Sequence, residues 1–298
     1  MACDHPTDSG LFYVNAPAKI NLCLKILGRR PDHYHNLWSV VGFTDFGDQI
    51  AVQKADTDQI SLKGGFAADL LAKGGDSLMG AALAGLRQAG FDVPPLHITL
   101  EKNIPLGGGL GGGSTNAAAL LWLVAEKIFP DMNSQTLQKI AAEIGADVPV
   151  CLYPGWQVMT GTGTITQNIN WPDQNPVWCV LANPNIEVST AEIFGQIRTY
   201  SKLQSDALTK AVKVQNLKKM IGLGNDLQEA ACMLYPEIRK LLSVLSAPDK
   251  DLIGCAMTGS GASCFALTRT ATYAEKLSRH ITQSGYWSVA TQMRAEFR

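Results

Sequence analysis

The chain has 298 residues, of which 46% are hydrophobic and 17% are charged, and its formal net charge is −1. This length allows one large domain or two domains of ordinary size, and the composition is that of a soluble globular protein. A net charge so close to zero excludes a general attraction to nucleic acid or to an anionic membrane, although local basic residues could still bind a phosphate.

Residues 1–10 lack the basic start and apolar core of a signal peptide. The longest apolar stretch, residues 117–125, is too short to cross a bilayer. Seven cysteines are scattered along the chain without a CxxC pair, which argues against a zinc or dithiol site and favours a reducing compartment. We therefore expect a cytoplasmic protein, and the sequence leaves its oligomeric state open.

The first half of the chain is predicted to form strands followed by helices. Alternating apolar residues indicate strands within the segments 20–26, 39–53, 59–64 and 95–103. Helices are expected over 76–89, where Asp76 is suited to begin a helix, and over 114–129 and 134–145.

The second half alternates strands and helices. Strands are predicted at 156–160, 177–184 and 251–261, and helices at 189–198, 225–245 and 272–285. Pro236 is expected to divide the middle helix into two, because proline removes a backbone donor. The pattern predicts an α+β protein in two parts, with domains at 1–155 and 156–298.

The segment PLGGGLGGGST, residues 105–115, has six glycines in seven positions and lies between a predicted strand and a predicted helix. Free N–H groups at a helix N-terminus bind anions, and glycines let phosphate oxygens approach the backbone. Ser114 and Thr115 add hydroxyls. No lysine precedes Ser114, so the segment is not a Walker A motif, and it lacks the position of a Rossmann fingerprint. The alternative, a flexible linker, fits its place between two regular elements less well.

Three segments together resemble the motifs of the GHMP small-molecule kinases. They are APAKINLCLKILGRRPDHYHNL near the start, PLGGGLGGGSTNAAA in the middle and MTGSGASCFAL at 257–267, in the family's order. The resemblance implies an S5-like N-terminal α/β domain, a ferredoxin-like C-terminal α/β domain and an active site in the cleft between them. It also implies phosphoryl transfer from ATP, with Mg²⁺, to an alcohol. ATP would bind on Pro105, Leu106, Gly107, Gly108, Gly109, Leu110, Gly111, Gly112, Gly113, Ser114 and Thr115. The ligands of the metal stay open.

Lys19 and Asp147 are the candidate catalytic residues. Lys19 lies in an apolar strand, where it needs either a partner or a route to solvent at the strand end. Asp147 lies between a helix end and an apolar segment, where it could also cap a helix. The resemblance implies that Asp147 is the general base for the acceptor hydroxyl and that Lys19 pairs with it, keeps it ionised and orients the hydroxyl.

The stretch HYHNL resembles that of family members whose substrate carries a cytosine base. The resemblance implies that Tyr34 stacks on the base, that His35 bonds to its edge and that Phe194 covers the other face, with Thr190 nearby. Asn21 is expected on the same strand face as the lysine, in contact with the diphosphate or the sugar alcohol. On residue type alone, the two rings and the histidine could equally be structural.

The chain departs from the family pattern at three positions. His33 replaces a glycine, which predicts a different turn before the aromatic stack. Ser77 replaces an asparagine near the adenine, which leaves Ser77 and Lys102 as uncertain adenine neighbours. Thr164 replaces a glutamate, and its role stays open.

Two other functions are compatible with the glycine segment. A GHMP kinase for homoserine or mevalonate derivatives would have no base to stack, so HYHNL argues against it. A nucleotide sensor without catalysis would have lost the lysine or the aspartate, and both residues are present.

Overall fold

The computed structural model describes residues 11–169, 176–202 and 216–294. The amino-terminal stretch on which the localisation prediction rests lies outside these residues. Within them, no helix combines the length and the apolar character that a membrane span requires.

The described residues form ten strands and ten helices. The strands are β1 (Phe12–Arg29), β2 (His35–Lys54), β3 (Gln59–Lys63), β4 (Leu96–Glu101), β5 (Gln157–Gly161), β6 (Ile165–Asn168), β7 (Trp178–Asn183), β8 (Leu252–Met257), β9 (Cys264–Thr268) and β10 (Trp287–Arg294). The helices are α1 (Ala67–Ala72), α2 (Ser77–Gln88), α3 (Gly112–Ile128), α4 (Ser134–Ile144), α5 (Val148–Cys151), α6 (Thr190–Gly195), α7 (Leu217–Gly222), α8 (Gln228–Leu234), α9 (Pro236–Leu245) and α10 (Ala271–Gln283). The predicted α+β class is confirmed.

Strand β2 organises the sheet of the first half. It pairs along one side with β1, antiparallel, so that Lys19 lies opposite Phe43. On its other side it pairs in turn with β5, β10 and β4. One long strand rich in Val, Ile and Phe therefore connects every part of the sheet around the site.

The second half has its own antiparallel order, β10-β7-β9-β8. Helices lie between β7 and β8, and α10 lies between β9 and β10. This order and connection are those of the ferredoxin-like motif, which confirms the expectation for this half. The end of β10 also pairs with β2, where Met293 lies opposite Thr44, so the two sheets are continuous.

The division at residue 155 stays a prediction. Strands β5 and β6 follow that residue, and β5 pairs with both β2 and β6. On strand pairing, we propose that the domain boundary lies between β6 and β7.

The signals read from the sequence have clear counterparts in the structure. Asp76 caps α2 by accepting a hydrogen bond from the N–H of Met79 at 3.1 Å. Pro236 opens a new helix and separates α8 from α9, as predicted. Strands β9 and β10 are not predicted from the sequence. β9 is buried at every position, and such a continuous apolar run carries no strand periodicity.

Helix α3 positions the glycine segment. Ala117, Ala118 and Ala119 are fully buried, and the helix packs against β1 and α2. These small side chains let the helix lie close to the sheet. The start of α3 is thereby fixed beside β1, the strand that carries Lys19.

Candidate active site

A cavity of about 830 Å³ is lined by residues from both halves of the chain. This volume lies within the range of small-molecule sites. The lining includes every predicted site residue except Thr115, namely Lys19, Asn21, Tyr34, His35, all residues from Pro105 to Ser114, Asp147, Thr190 and Phe194. The structure therefore brings together residues that are far apart in sequence.

The glycine segment ends in a helix N-terminus that faces this cavity. Gly107, Gly109 and Gly111 have φ values of 59°, 73° and 70°, a left-handed conformation that glycine adopts readily. Gly111 is the N-cap residue, and α3 begins at Gly112, two residues before the predicted start. The first N–H groups of a helix have no partner within the helix, so this end is suited to bind an anion.

The turn within residues 257–267, the last of the three family-like segments, packs directly against the glycine segment. A Cβ atom on Gly109 would lie 2.3 Å from the carbonyl oxygen of Thr258, and one on Gly108 would lie 2.6 Å from Ser263 Oγ. The N–H of Ser263 donates to the carbonyl of Gly108 at 3.0 Å. Glycine is thus required at 108 and 109 by close approach, whereas a Cβ on Gly107 would meet nothing within 4 Å.

Ser114 and Thr115 occupy different places. Ser114 lines the cavity, whereas Thr115 is fully buried and its N–H bonds to the carbonyl of Gly111 at 2.8 Å. This placement suits Thr115 to support the segment from below. Its direct contact with a phosphate stays a prediction.

Lys19 and Asp147 form an ion pair on the cavity wall. The distance from Lys19 Nζ to Asp147 Oδ2 is 2.8 Å, and the side chains are 3% and 40% exposed. Lys19 is therefore buried with a partner and does not reach solvent. Asp147 precedes α5, but its side chain makes no capping hydrogen bond. Both observations favour a functional pair over the two structural alternatives.

The ion pair is joined to the glycine segment. The N–H of Lys19 donates to the carbonyl of Leu110 at 2.9 Å, and a Cβ on Gly111 would lie 3.3 Å from Lys19 Cβ. Cys151 interacts electrostatically with both Lys19 and Asp147. Burial is the larger influence and raises the pKa of the Cys151 thiol to about 12. This thiol stays protonated near neutral pH and is no candidate nucleophile.

Aromatic side chains line a second part of the cavity, called the aromatic end from here on. The rings of His35 and Phe194 stack with centroids 5.2 Å apart, and Tyr200 lies 6.3 Å from His35. Partial burial, and to a lesser extent the charge of Arg29, lowers the pKa of His35, which favours the neutral imidazole. Tyr34 is 63% exposed, which argues against a role in core packing.

Asn21 and Thr190 already have polar partners. Asn21 is 1% exposed, and its side-chain amide donates to Ser39 Oγ at 2.8 Å. The hydroxyl of Thr190 lies 2.8 Å from that of Ser260. Both residues line the cavity, and their contacts with a substrate stay predictions.

The three departures from the family pattern have simple structural settings. His33 has φ of 69°, so the backbone follows a path that a glycine would favour. Ser77 is the first residue of α2, and its neighbour Leu78 lines the cavity. The hydroxyl of Thr164 lies 3.4 Å from that of Thr162, another lining residue.

One charged pair on the cavity wall was not predicted. Lys102 is 2% exposed and forms an ion pair with Asp48, which is fully buried. Asp48 also accepts the N–H groups of Asn103 at 2.7 Å and Ile104 at 2.8 Å. The pair therefore anchors the segment that leads into the glycine run. The sequence does show that Asp48 and Lys102 are charged residues within predicted apolar strands, which indicates that each needs a partner. It does not show that they pair with each other.

The fold and the site together define a small-molecule kinase. A helix N-terminus suited to phosphate lies in one cavity with a carboxylate that can accept a proton from a hydroxyl. Phosphoryl transfer to an alcohol needs these two features in close proximity.

Comparison with known proteins identifies the family. The models for the GHMP kinases N terminal domain and the GHMP kinases C terminal match residues 76–155 and 208–286. A relative from Mesorhizobium japonicum, named 4-diphosphocytidyl-2-C-methyl-D-erythritol kinase, is 36% identical over 95% of this chain and 96% of its own length. The chain belongs to the GHMP kinase family, whose members take the phosphoryl group from ATP.

Solved structures agree with this assignment. A crystal structure of 4-(cytidine 5'-diphospho)-2C-methyl-D-erythritol kinase matches with a TM-score of 0.75 and 26% identity, over 94% of this chain and 98% of that one. The homoserine kinase of Cytophaga hutchinsonii matches with a TM-score of 0.71 and 19% identity, over 99% and 98% of the two chains. The second likeness shows the shared fold.

Proposed function

We propose that this protein transfers the γ-phosphoryl group of ATP to the 2-hydroxyl of 4-diphosphocytidyl-2-C-methyl-D-erythritol, giving the 2-phosphate and ADP. The reaction belongs to the non-mevalonate (methylerythritol phosphate) route to isoprenoid precursors. The Lys19–Asp147 ion pair, placed beside the N-terminus of α3, is the observation that carries the chemistry. The relative and the solved structure named for this substrate support the choice of acceptor.

The residues of the chain divide the chemical work. The backbone of the glycine segment and the start of α3 bind the phosphates of ATP and stabilise negative charge on the transferring group. Asp147 accepts the proton of the acceptor hydroxyl as that oxygen attacks phosphorus. The ammonium of Lys19 fixes the position of the carboxylate and offsets its charge. A positioned base of this kind contributes about 10²–10⁴-fold in rate.

Magnesium is part of the proposal. Mg²⁺ prefers phosphate oxygens, water and one or two carboxylates, and when bound it neutralises phosphate charge. The hydroxyl of Ser114 lines the cavity at the start of α3 and would hold such an ion together with phosphate oxygens of ATP and water. Within residues 11–169, 176–202 and 216–294, no group of three His, Cys, Asp or Glu side chains could hold a metal by itself.

The aromatic end of the cavity is proposed to bind cytosine. Stacking of a base on an aromatic ring contributes about 1–3 kcal/mol. The exposed ring of Tyr34 and the ring of Phe194 are available for stacking, and the neutral imidazole of His35 can bond to the base edge. Thr190 and Asn21 are proposed to contact the remainder of the substrate.

ATP consumption by the purified full chain with Mg²⁺ tests the proposal. The cytidyl substrate, mevalonate and homoserine are compared in parallel, and ³¹P NMR of the product locates the new phosphate. Turnover that depends on the cytidyl substrate, with a 2-phosphate product, is expected. Turnover with either other alcohol, or ATP binding without any turnover, would contradict the proposal.

A further inference from the structure

The outer edge of β1 contacts loops instead of another strand over its central part. On its inner edge β1 pairs with β2. On the outer edge, the N–H of Lys19 donates to the carbonyl of Leu110 at 2.9 Å, and the N–H of Asn21 donates to Thr258 Oγ at 2.9 Å. These donors would otherwise be unpaired in the interior, which is costly.

The hydroxyl of Thr258 connects this edge to the glycine segment. Thr258 is fully buried, and its own N–H is fixed by the carbonyl of Ser263 at 3.0 Å. The hydroxyl accepts from the N–H of Asn21 and lies 3.2 Å from the carbonyl oxygen of Gly109, to which it donates. The side-chain oxygen of Asn21, at 3.4 Å, is a second and more distant acceptor for the same hydrogen.

Two successive carbonyls of the glycine segment are therefore tied to β1. Leu110 bonds directly to Lys19, and Gly109 is bonded through Thr258 to Asn21. The glycine segment and the turn at Thr258 are also in direct contact, because a Cβ on Gly109 would lie 2.3 Å from the backbone oxygen of Thr258. The spacing between the segment and the strand is thus set by contacts at both positions.

We propose that Thr258 is a positioning residue for phosphoryl transfer. It acts through Gly109 and β1, and it fixes the distance between the phosphate site and the strand that carries Lys19. This inference rests on the proposed function, in which the phosphate site holds ATP. A misplacement of about 1 Å at a reacting centre can cost about 100-fold in rate, so this hydrogen bond influences turnover without touching either ligand.

The test uses three variants of the full chain. Thr258→Val keeps the branched shape but leaves the N–H of Asn21 and the carbonyl of Gly109 without this partner. Thr258→Ser keeps the hydroxyl. Thr268→Val is the matched control, because Thr268 is also fully buried, lies in the neighbouring strand β9 and donates to the carbonyl of Thr270 at 3.1 Å, outside the cavity lining.

For Thr258→Val, kcat/KM for ATP is expected to fall about 10- to 100-fold, and ATP affinity measured by calorimetry to fall with it. Affinity for the cytidyl substrate should fall less than affinity for ATP, because Thr258 bonds directly to the glycine segment and is connected to the proposed substrate contacts only through Asn21. Thr258→Ser should restore kcat/KM to within about threefold. Thr268→Val should lower Tm by about as much as Thr258→Val does, because each loses one buried hydroxyl. Its kinetic constants should stay within about twofold of normal.

Three results would overturn the inference. They are a folded Thr258→Val variant with near-normal kcat/KM for ATP, a Thr268→Val variant with the same kinetic loss, and a failure of serine to restore activity. If the unmodified chain does not phosphorylate the cytidyl substrate, the proposed function fails. The ATP affinities of the same three variants still decide whether Thr258 positions the phosphate site.

Discussion

The two ends of the cavity differ in the groups that would bind a ligand. These groups are backbone atoms at the phosphate end, formed by the glycine segment, and side chains at the aromatic end. At the phosphate end, the backbone of Gly108 and Gly109 is packed against a buried turn whose Thr258 is fully inaccessible. At the aromatic end, side chains do the recognition, and Tyr34 is 63% exposed on a turn. A close-packed backbone tolerates almost no change, whereas an exposed side chain can be replaced at a graded cost. We expect substitutions at the two ends to differ accordingly in size and in kind.

The largest effect is expected at the ion pair of Lys19 and Asp147. Asp147→Asn keeps the shape of the side chain but removes the base, so kcat should fall about 10²–10⁴-fold. ATP and substrate affinities, measured by calorimetry, should change little, because Asp147 is half-exposed and its loss opens no cavity. Steady-state assays of ATP consumption check this result.

Asp131→Asn is the matched control for Asp147→Asn. Asp131 is an exposed carboxylate between α3 and α4 and is outside the cavity lining. Its replacement should leave kcat unchanged. If Asp147→Asn retains turnover within a few-fold of normal, the carboxylate is not the general base.

The phosphate end can be broken by one methyl group. Gly109→Ala adds a Cβ that would lie 2.3 Å from a backbone oxygen, at φ of 73°. The left-handed conformation alone costs about 1–2 kcal/mol, and relief of the collision must displace the glycine segment. We expect the loss of unfolding free energy to exceed about 3 kcal/mol, with ATP affinity reduced at least about tenfold.

Gly90→Ala separates strain from collision. Gly90 has φ of 91°, but a Cβ there would meet nothing within 4 Å. Chemical denaturation should therefore show a loss of only about 1 kcal/mol, with ATP affinity unaffected. Equal losses at the two glycines would show that close packing does not distinguish the phosphate end.

The same contrast explains what could be predicted from the sequence. The phosphate segment is contiguous, so its glycines, the preceding strand and the following helix were predicted from local pattern. Lys19 and Asp147 are 128 residues apart, and only the family resemblance paired them. The bond from Thr258 to Gly109 spans 149 residues, and nothing in the spacing of a TGSG turn indicates its partner.

Strand pairing, which the sequence does not specify, is a second reason why features were missed. Asp48 and Lys102 lie in segments predicted as strands, and their pairing depends on how β2 and β4 come together in the sheet. Strand pairing is a tertiary property, so the sequence shows the two charged residues but not that they form an ion pair. The aromatic end was predicted by residue, but the stacking of His35 on Phe194 emerged only from the fold.

A graded effect is expected at the aromatic end. Phe194→Ala removes the ring that stacks on His35 and that is proposed to cover the base. Loss of one stacking contact costs about 1–3 kcal/mol, so KM for the cytidyl substrate should rise about tenfold while KM for ATP stays the same. Phe194→Tyr keeps a ring and should stay within about twofold of normal. A shift in KM for ATP instead would contradict the division of the cavity into two independent ends.

The smallest effect is expected at His33, in the turn before Tyr34. Its φ of 69° is accessible to glycine without strain, whereas a Cβ makes it unfavourable. His33→Gly should therefore be more stable to denaturant than His33→Ala by about 1 kcal/mol, even though glycine loses more entropy on folding. Both variants should keep kcat, because the turn carries the base-binding residues and not the ion pair. Equal stability of the two variants would show that an exposed turn relaxes around its side chain, which would sharpen the contrast with Gly109.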